Sequence, residues 1–210
     1  MKLLMVGASG LVGSHVLDLA LNDDRVEEIT ILVRKPINKT HAKLQVHQVD
    51  FSKLSPNEPW WKADAVICTL GTTIRTAGSK DNFRKVDFEY PFIVAQYAKQ
   101  NGTQAYVLNS AMGADPNSSF FYNRVKGDLE KSLKNLNFKS LTFVRPGLIG
   151  GKREEFRMGE ELAKAVTKIL SPILPKKFQM NHPQKIASAI LEAAINRKDG
   201  IDIITSDQLL

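Results

Sequence analysis

A short apolar run, Lys2–Val6 (KLLMV), ends in Gly7-Ala8-Ser9-Gly10-Leu11-Val12-Gly13 and passes straight into a stretch with Val12, Val16, Leu19 and Ala20 at helical spacing. This junction limits the fold more than any other feature of the chain. An apolar run stopped by glycine and followed at once by a helical stripe reads as a buried parallel strand. The glycines then define the connection. Gly7 allows a tight turn, Gly10 lets the backbone approach a pyrophosphate without a Cβ in the way, and Gly13 permits close helix–strand packing. The helix N-terminus offers unpaired N–H groups and the positive end of its dipole. Gly7, Ser9, Gly10, Leu11, Val12 and Gly13 therefore form a candidate phosphate-binding loop.

The same alternation of strand and helix continues. Residues 29–33 (ITILV) give a second β-branched run, Leu44, Val46 and Val49 a third strand with polar residues between, and 63–70 (ADAVICTL) a fourth. Val86, Tyr90, Val94 and Tyr97 stripe a helix that ends at Gly102, with Pro91 in its first turn. Residues 105–108 (AYVL) and 141–144 (LTFV) are the fifth and sixth strands, with Val125, Leu129 and Leu133 on a helix between them. Alternating strands and helices imply right-handed crossovers and a doubly wound parallel sheet, an α/β Rossmann fold. After about residue 151 the pattern changes: a helix over 159–170, a break at Pro172 and Pro175, a helix over 184–196 and a last strand over 201–204. The 210 residues fit one domain, given roughly 150 residues per domain. The part from about 151 to 210 is expected to cover a site beside the sheet, with Arg157, Gly159 and Glu160 at its mouth.

The second strand ends in Val33-Arg34-Lys35, where NAD-binding proteins place an acid for the ribose 2′-hydroxyl. Arg34 instead offers a fork of donors to a 2′-phosphate, with Lys35 and Ser9 beside it. NADP(H) is thus the expected cofactor. Asp50, ending the third strand, reads equally as an adenine-edge contact or as a turn residue.

Tyr122 and Lys126 stand i, i+4 on a predicted helix, so their side chains point the same way. Ser110 ends the fifth strand upstream of them. A free tyrosine titrates near 10, and a nearby ammonium favours its phenolate. Tyr122 is then placed to give a proton to a carbonyl oxygen that Ser110 holds, while a nicotinamide delivers hydride.

On GASGLVG, the Ser110 strand end, Y122-N-R-V-K126 and R145-P146-G147, the chain resembles the short-chain dehydrogenase/reductase superfamily, as an atypical short member. C68-T-L-G-T-T73, N109-S-A-M-G-A-D115 and F143-V-R-P-G147 are most similar to the HIV Tat-interacting oxidoreductase branch. The resemblance implies catalytic positions at Ser110, Tyr122 and Lys126. It also implies that Leu70, Gly71 and Thr72 run beside the cofactor, with Pro146 and Gly147 near the nicotinamide. Asn109-Ser110 leaves one hydroxyl where many relatives carry two serines, and the branch includes proteins known as regulators.

The leading expectation is an NADPH-dependent reductase of a small carbonyl compound. The alternatives are an NADP(H)-binding sensor with little turnover and a minimal epimerase- or dehydratase-like protein. The net charge of +7 carries no block of basic residues and no nucleic-acid motif, so nucleic acid is not an expected partner. His15, His41, His47 and His182 show no metal-ligand spacing, so no metal is expected. No run reaches the roughly 18 apolar residues of a membrane span. Cys68, the one cysteine, has no partner for an internal disulfide. The expectation is a cytoplasmic monomer or homodimer.

Overall fold

The computed structural model describes residues 1–150 and 179–210. Seven parallel strands form one sheet: β1 (Lys2–Val6), β2 (Glu28–Val33), β3 (Leu44–Gln48), β4 (Ala65–Cys68), β5 (Ala105–Asn109), β6 (Ser140–Arg145) and β7 (Gly200–Thr205), in the order β3-β2-β1-β4-β5-β6-β7. The helices are α1 (Leu11–Leu21), α2 (Ile74–Ala77), α3 (Lys80–Arg84), α4 (Tyr90–Gln100), α5 (Phe121–Lys134) and α6 (Pro183–Asn196). The doubly wound Rossmann architecture expected of the sequence is the one observed. Among the described residues no helix is long and apolar enough to cross a membrane.

Alternation along β1 explains the two layers. Leu3 and Met5 face a core shared with Val12, Val16 and Leu17 of α1 and Ile186 and Ile190 of α6. Leu4 and Val6 face the opposite core, with Val94, Ala95 and Ala98 of α4 and Leu129 and Leu133 of α5. Successive side chains of a strand point to opposite faces, so a strand covered on both sides must be apolar throughout. The edge strands β3 and β7 are the most exposed, and polar residues interrupt both.

The chain reverses its direction of strand addition between β1 and β4, which lie side by side. The carboxyl ends of these two strands mark the crevice where doubly wound sheets bind ligands. The glycine loop follows β1 and the segment Thr69–Thr73 follows β4, so both open into this crevice.

Two local features depart from the pattern read from sequence. Short helices α2 and α3 occupy the stretch after the fourth strand, each capped by its preceding hydroxyl, Thr73 and Ser79. Lys85–Glu89 forms a single π-type turn that runs into α4, so the stripe from Val86 to Tyr97 is not one regular helix. In the last part of the chain, α6 packs on α1, and β7 extends the sheet beside β6. The helix expected over 159–170, the break at Pro172 and Pro175, and the mouth residues Arg157, Gly159 and Glu160 lie outside the described residues, as does the part of the tail left to cover a site.

Candidate active site

The glycine loop is built by contacts that two of its glycines cannot lose. Gly7 adopts φ +87°, and a Cβ there would lie 2.5 Å from the carbonyl carbon of Thr69. A Cβ on Gly13 would lie 2.1 Å from the carbonyl oxygen of Gly7. Gly10 is different. Its φ of −80° suits any residue, and its nearest neighbour to a Cβ is the Gly7 oxygen at 3.3 Å. The fold makes a far smaller demand on Gly10 than on Gly7 and Gly13, since a Cβ there asks the Gly7 oxygen to yield only a few tenths of an ångström.

Gly10 stands at the start of α1. Gly10 N donates to Gly7 O at 3.0 Å, and the first helical bond runs from Ser14 N to Gly10 O at 2.8 Å. The N–H groups of Leu11, Val12 and Gly13 therefore have no intrahelical acceptor. No side chain caps this end and no acid sits in its first turn. An uncapped helix end behind an open glycine is a fit for a phosphate anion. Ser9 is exposed at the tip of the loop, and Arg34 and Lys35 are exposed just beyond β2. Asp50 resolves toward the turn: its Oδ1 accepts from Ser52 N at 2.9 Å and from Ser52 Oγ at 2.7 Å. Those bonds hold its carboxyl below the usual range.

The other side of the crevice is made of buried charge. Along α5, Tyr122, Lys126 and Glu130 follow one another at i, i+4 and i+8, on one face. Tyr122 is 39% exposed, whereas Lys126 is 3% and Glu130 2% exposed. The phenol thus looks out of the crevice, with an ammonium one turn beneath it and a carboxylate one turn deeper.

Each buried charge has a partner from elsewhere in the fold. Lys126 Nζ lies 2.8 Å from Oδ1 of Asp87, a residue of the π-type turn that is itself 1% exposed. Burial pulls the Lys126 ammonium toward neutrality, but the fields of Asp87 and Tyr122 outweigh it and leave the group more firmly charged than a free lysine. Among the described residues Asp87 is its only acceptor, so spare N–H donors remain for a bound hydroxyl. The other oxygen of Asp87 accepts from Thr72 N at 2.8 Å, which fixes the loop after β4.

Glu130 accepts from Ser110 Oγ at 2.6 Å and from Arg145 Nε at 3.0 Å, and its second oxygen takes the Arg145 guanidinium terminus as well. This bidentate pair holds the Arg145 charge in place. It also commits the Ser110 proton. Ser110 is 5% exposed, and in this arrangement its hydroxyl anchors the Glu130–Arg145 pair rather than pointing at a substrate. Reaching a carbonyl oxygen requires it to release Glu130.

Pro146 and Gly147, after β6, are fixed from the far end of the chain. Gly147 N donates to Oδ1 of the fully buried Asn181 at 2.8 Å, and Asn181 Nδ2 donates to Ser206 O at 2.8 Å. Met112 N donates to Pro146 O at 2.8 Å and ties the same loop to the segment after β5.

The structure thus brings together at one sheet edge the glycine loop, Leu70, Gly71 and Thr72, Ser110, Tyr122, Lys126, Pro146 and Gly147. Sequence reading missed Asp87, Glu130 and Asn181 and gave Arg145 no role of its own. Glu130 was within reach of one signal: extending the Tyr122–Lys126 spacing by one more turn lands on it.

Residues 7–166 match the family described as NAD(P)H-binding. Among curated proteins, "Protein FMP52, mitochondrial" of Coccidioides immitis is 32% identical over 214 residues, covering 94% of this chain and 87% of that protein. "Protein HTATIP2" of Rattus norvegicus is 37% identical over 167 residues, covering 78% of this chain and 69% of that protein. Among solved structures, "MoeE5 in complex with UDP-glucuronic acid and NAD" shares the fold with a TM-score of 0.75 at 16% identity, over 97% of this chain and 75% of that one. The names of the fungal relatives correct the cytoplasmic expectation, because they point to mitochondria. A single cysteine and the lack of a long apolar run do not separate one compartment from another. With a matching profile over most of its length and relatives above 30% identity, the chain belongs to the NAD(P)H-binding family of Rossmann proteins, alongside HTATIP2 and FMP52.

Proposed function

We propose that the protein is an NADP(H)-dependent oxidoreductase that reduces a small carbonyl compound. The observation that carries this reading is the exposed phenol of Tyr122 one helical turn above the buried ammonium of Lys126, at the edge where the glycine loop opens. When bound, the reduced nicotinamide supplies the hydride. The chain's own residues do the rest. The N–H groups of Leu11, Val12 and Gly13 hold pyrophosphate, Gly10 makes room for it, and Arg34 with Lys35 meets the 2′-phosphate that distinguishes NADP(H) from NAD(H). Lys126 holds ribose hydroxyls with its spare donors. Tyr122 gives its phenolic proton to the carbonyl oxygen as charge develops there, and the ammonium below stabilises the phenolate left behind. Pro146 and Gly147 wall the nicotinamide end.

The reading is tested by screening aldehydes, ketones and quinones for NADPH oxidation and then replacing Tyr122→Phe. The ring and its packing on Phe83, centroids 5.8 Å apart, remain. The rate is expected to fall by about 10²–10⁴, the usual contribution of a positioned general acid, with NADPH affinity nearly unchanged. Full turnover in Tyr122→Phe overturns the assignment of the proton donor.

A further inference from the structure

We infer that Asp87 is a charge-balancing positioning residue of the cofactor site: its carboxylate cancels the Lys126 ammonium beneath the nicotinamide and so sets how the protein divides its affinity between oxidised and reduced cofactor. The inference rests on the cofactor reading above and goes beyond it.

The geometry is specific. Asp87 reaches the site because Lys85–Glu89 forms a π-type turn, a local widening that recurs at functional sites and here turns this side chain inward. One oxygen faces Lys126 Nζ at 2.8 Å and the other holds Thr72 N at 2.8 Å. The pair lies just under the open edge. A Cβ added to the exposed Gly71 would sit 3.5 Å from Asp87 Oδ1 and 4.0 Å from Lys126 Nζ. The other ionisable groups whose charge Lys126 feels are Tyr122 on its own helix and Cys68 on β4, and burial pushes the Cys68 thiol up, so it stays neutral. Asp87 is therefore the one permanent countercharge at this point among the described residues.

The consequence follows from electrostatics. An ammonium beside a carboxylate acts on its surroundings as a short dipole, whose potential fades quickly. A bare ammonium in a poorly solvated site keeps a long-range positive potential. The oxidised nicotinamide ring is a cation and the reduced ring is neutral, so a bare ammonium penalises only the oxidised form. With Asp87 in place, that penalty is cancelled.

The experiment compares dissociation constants of NADP⁺ and NADPH, with no substrate needed. Asp87→Asn keeps the shape and an oxygen for Thr72 N but removes the charge. Measured at about pH 6, to favour the ammonium form of the lysine against the pull of burial, it should raise the ratio of the NADP⁺ constant to the NADPH constant about tenfold. Lys126→Met, measured at about pH 8.5 to favour the carboxylate form, should move the ratio in the opposite direction. The double variant should return it to within about threefold of the wild type. Equal weakening of both cofactor forms in the two single variants would reduce Asp87 to a structural prop and overturn the inference. If Asp87→Asn does not fold, the sign of the change in Lys126→Met decides alone. Wild-type protein that binds neither form would instead refute the cofactor reading itself.

Discussion

The two walls of the crevice are made in opposite ways. Beside β1 the protein subtracts: three glycines, a bare helix end and no capping side chain leave backbone N–H groups facing outward. Beside β5 and β6 it adds: Lys126 and Glu130 are buried along α5, and each is answered by a charge from another element. In the proposed site the first wall is a general receptor for phosphate, because any dinucleotide presents one. The second is specific, because buried charges are tolerated only when partners, geometry and burial agree. Variants of the two walls should fail differently.

The largest effects belong to positions where the fold itself has no slack. Gly13→Val places a branched side chain where even a Cβ would lie 2.1 Å from the Gly7 oxygen. Backbone cannot yield there without losing the β1–α1 connection, so a loss of about 3 kcal/mol or more is expected in urea unfolding. Gly10→Val, three residues away, should leave the unfolding midpoint close to that of the wild type yet abolish measurable binding of NADPH and NADH alike. Normal stability in Gly13→Val, or normal cofactor binding in Gly10→Val, would break the division between the glycine that builds the loop and the glycine that opens it.

On the other wall, Glu130→Ala removes the acceptor of both Ser110 and Arg145. Breaking a buried pair costs about 3–5 kcal/mol because the remaining charge is stranded. The Arg145 side chain keeps 25% exposure and can recover some hydration, which places the expected loss at about 3 kcal/mol by chemical denaturation. Freed from Glu130, the Ser110 O–H is available to another acceptor. A Glu130→Ala protein as stable as the wild type would show that this network orders nothing.

These walls also differ in how far the sequence discloses them. The glycine loop is local: strand, glycines and helix follow one another within thirteen residues, so their order alone identifies the junction. The strands of the parallel sheet are legible for the same reason, as short apolar runs. The charged wall is not local. Asp87 sits inside a helical stripe between Val86 and Tyr90 and looks like any polar residue on a solvated face, until the π-type turn directs it to Lys126. Glu130 sits among Lys131, Lys134 and Asp128 in a helix that reads as a charged surface. Burial of a charge depends on a partner brought by tertiary structure, and a single sequence does not name that partner. Ser110 shows the limit most sharply: its place at the end of β5 was readable, but its commitment to Glu130 was not. Asn181 reaches Gly147 only because β6 and the last turn of the chain meet.

Cofactor choice is a smaller effect and sharpens the same contrast. Arg34 lies outside both walls, exposed beyond β2, and in the proposed site touches only the phosphate that NADPH has and NADH lacks. Arg34→Ala should weaken NADPH about ten- to a hundredfold, the range for a lost charge-assisted contact, and leave NADH nearly unchanged. Isothermal titration with both cofactors reads this directly. Equal losses for both would remove Arg34 from the 2′-phosphate and return it to the solvated surface.

The smallest effect is expected where charges pair in water. Arg25 bridges Asp23, with nitrogen–oxygen contacts of 2.6 and 2.9 Å, and Glu192 of α6, with contacts of 2.6 and 3.2 Å. The geometry is as good as that of the Glu130–Arg145 pair, but the Arg25 side chain is 49% exposed and that of Glu192 46%. Solvent screens such a pair and side-chain entropy opposes it. Arg25→Ala should therefore lower Tm by no more than about 3 °C, and less in high salt. Its pH dependence has a definite sign. The Arg25 hydrogen bonds outweigh the opposing effect of partial burial and hold the Asp23 carboxyl at about 2, below its ordinary 3.8, and they also hold Glu192 below its usual range. A depressed carboxylate stabilises the fold above its unfolded pKa and loses that contribution as pH falls through the folded one. The difference in Tm between wild type and Arg25→Ala should thus be fully present above about pH 5 and vanish toward about pH 2. A loss in Arg25→Ala as large as that in Glu130→Ala would mean that burial is not what separates the two ion pairs, and the contrast between the charged wall and the protein surface would fail with it.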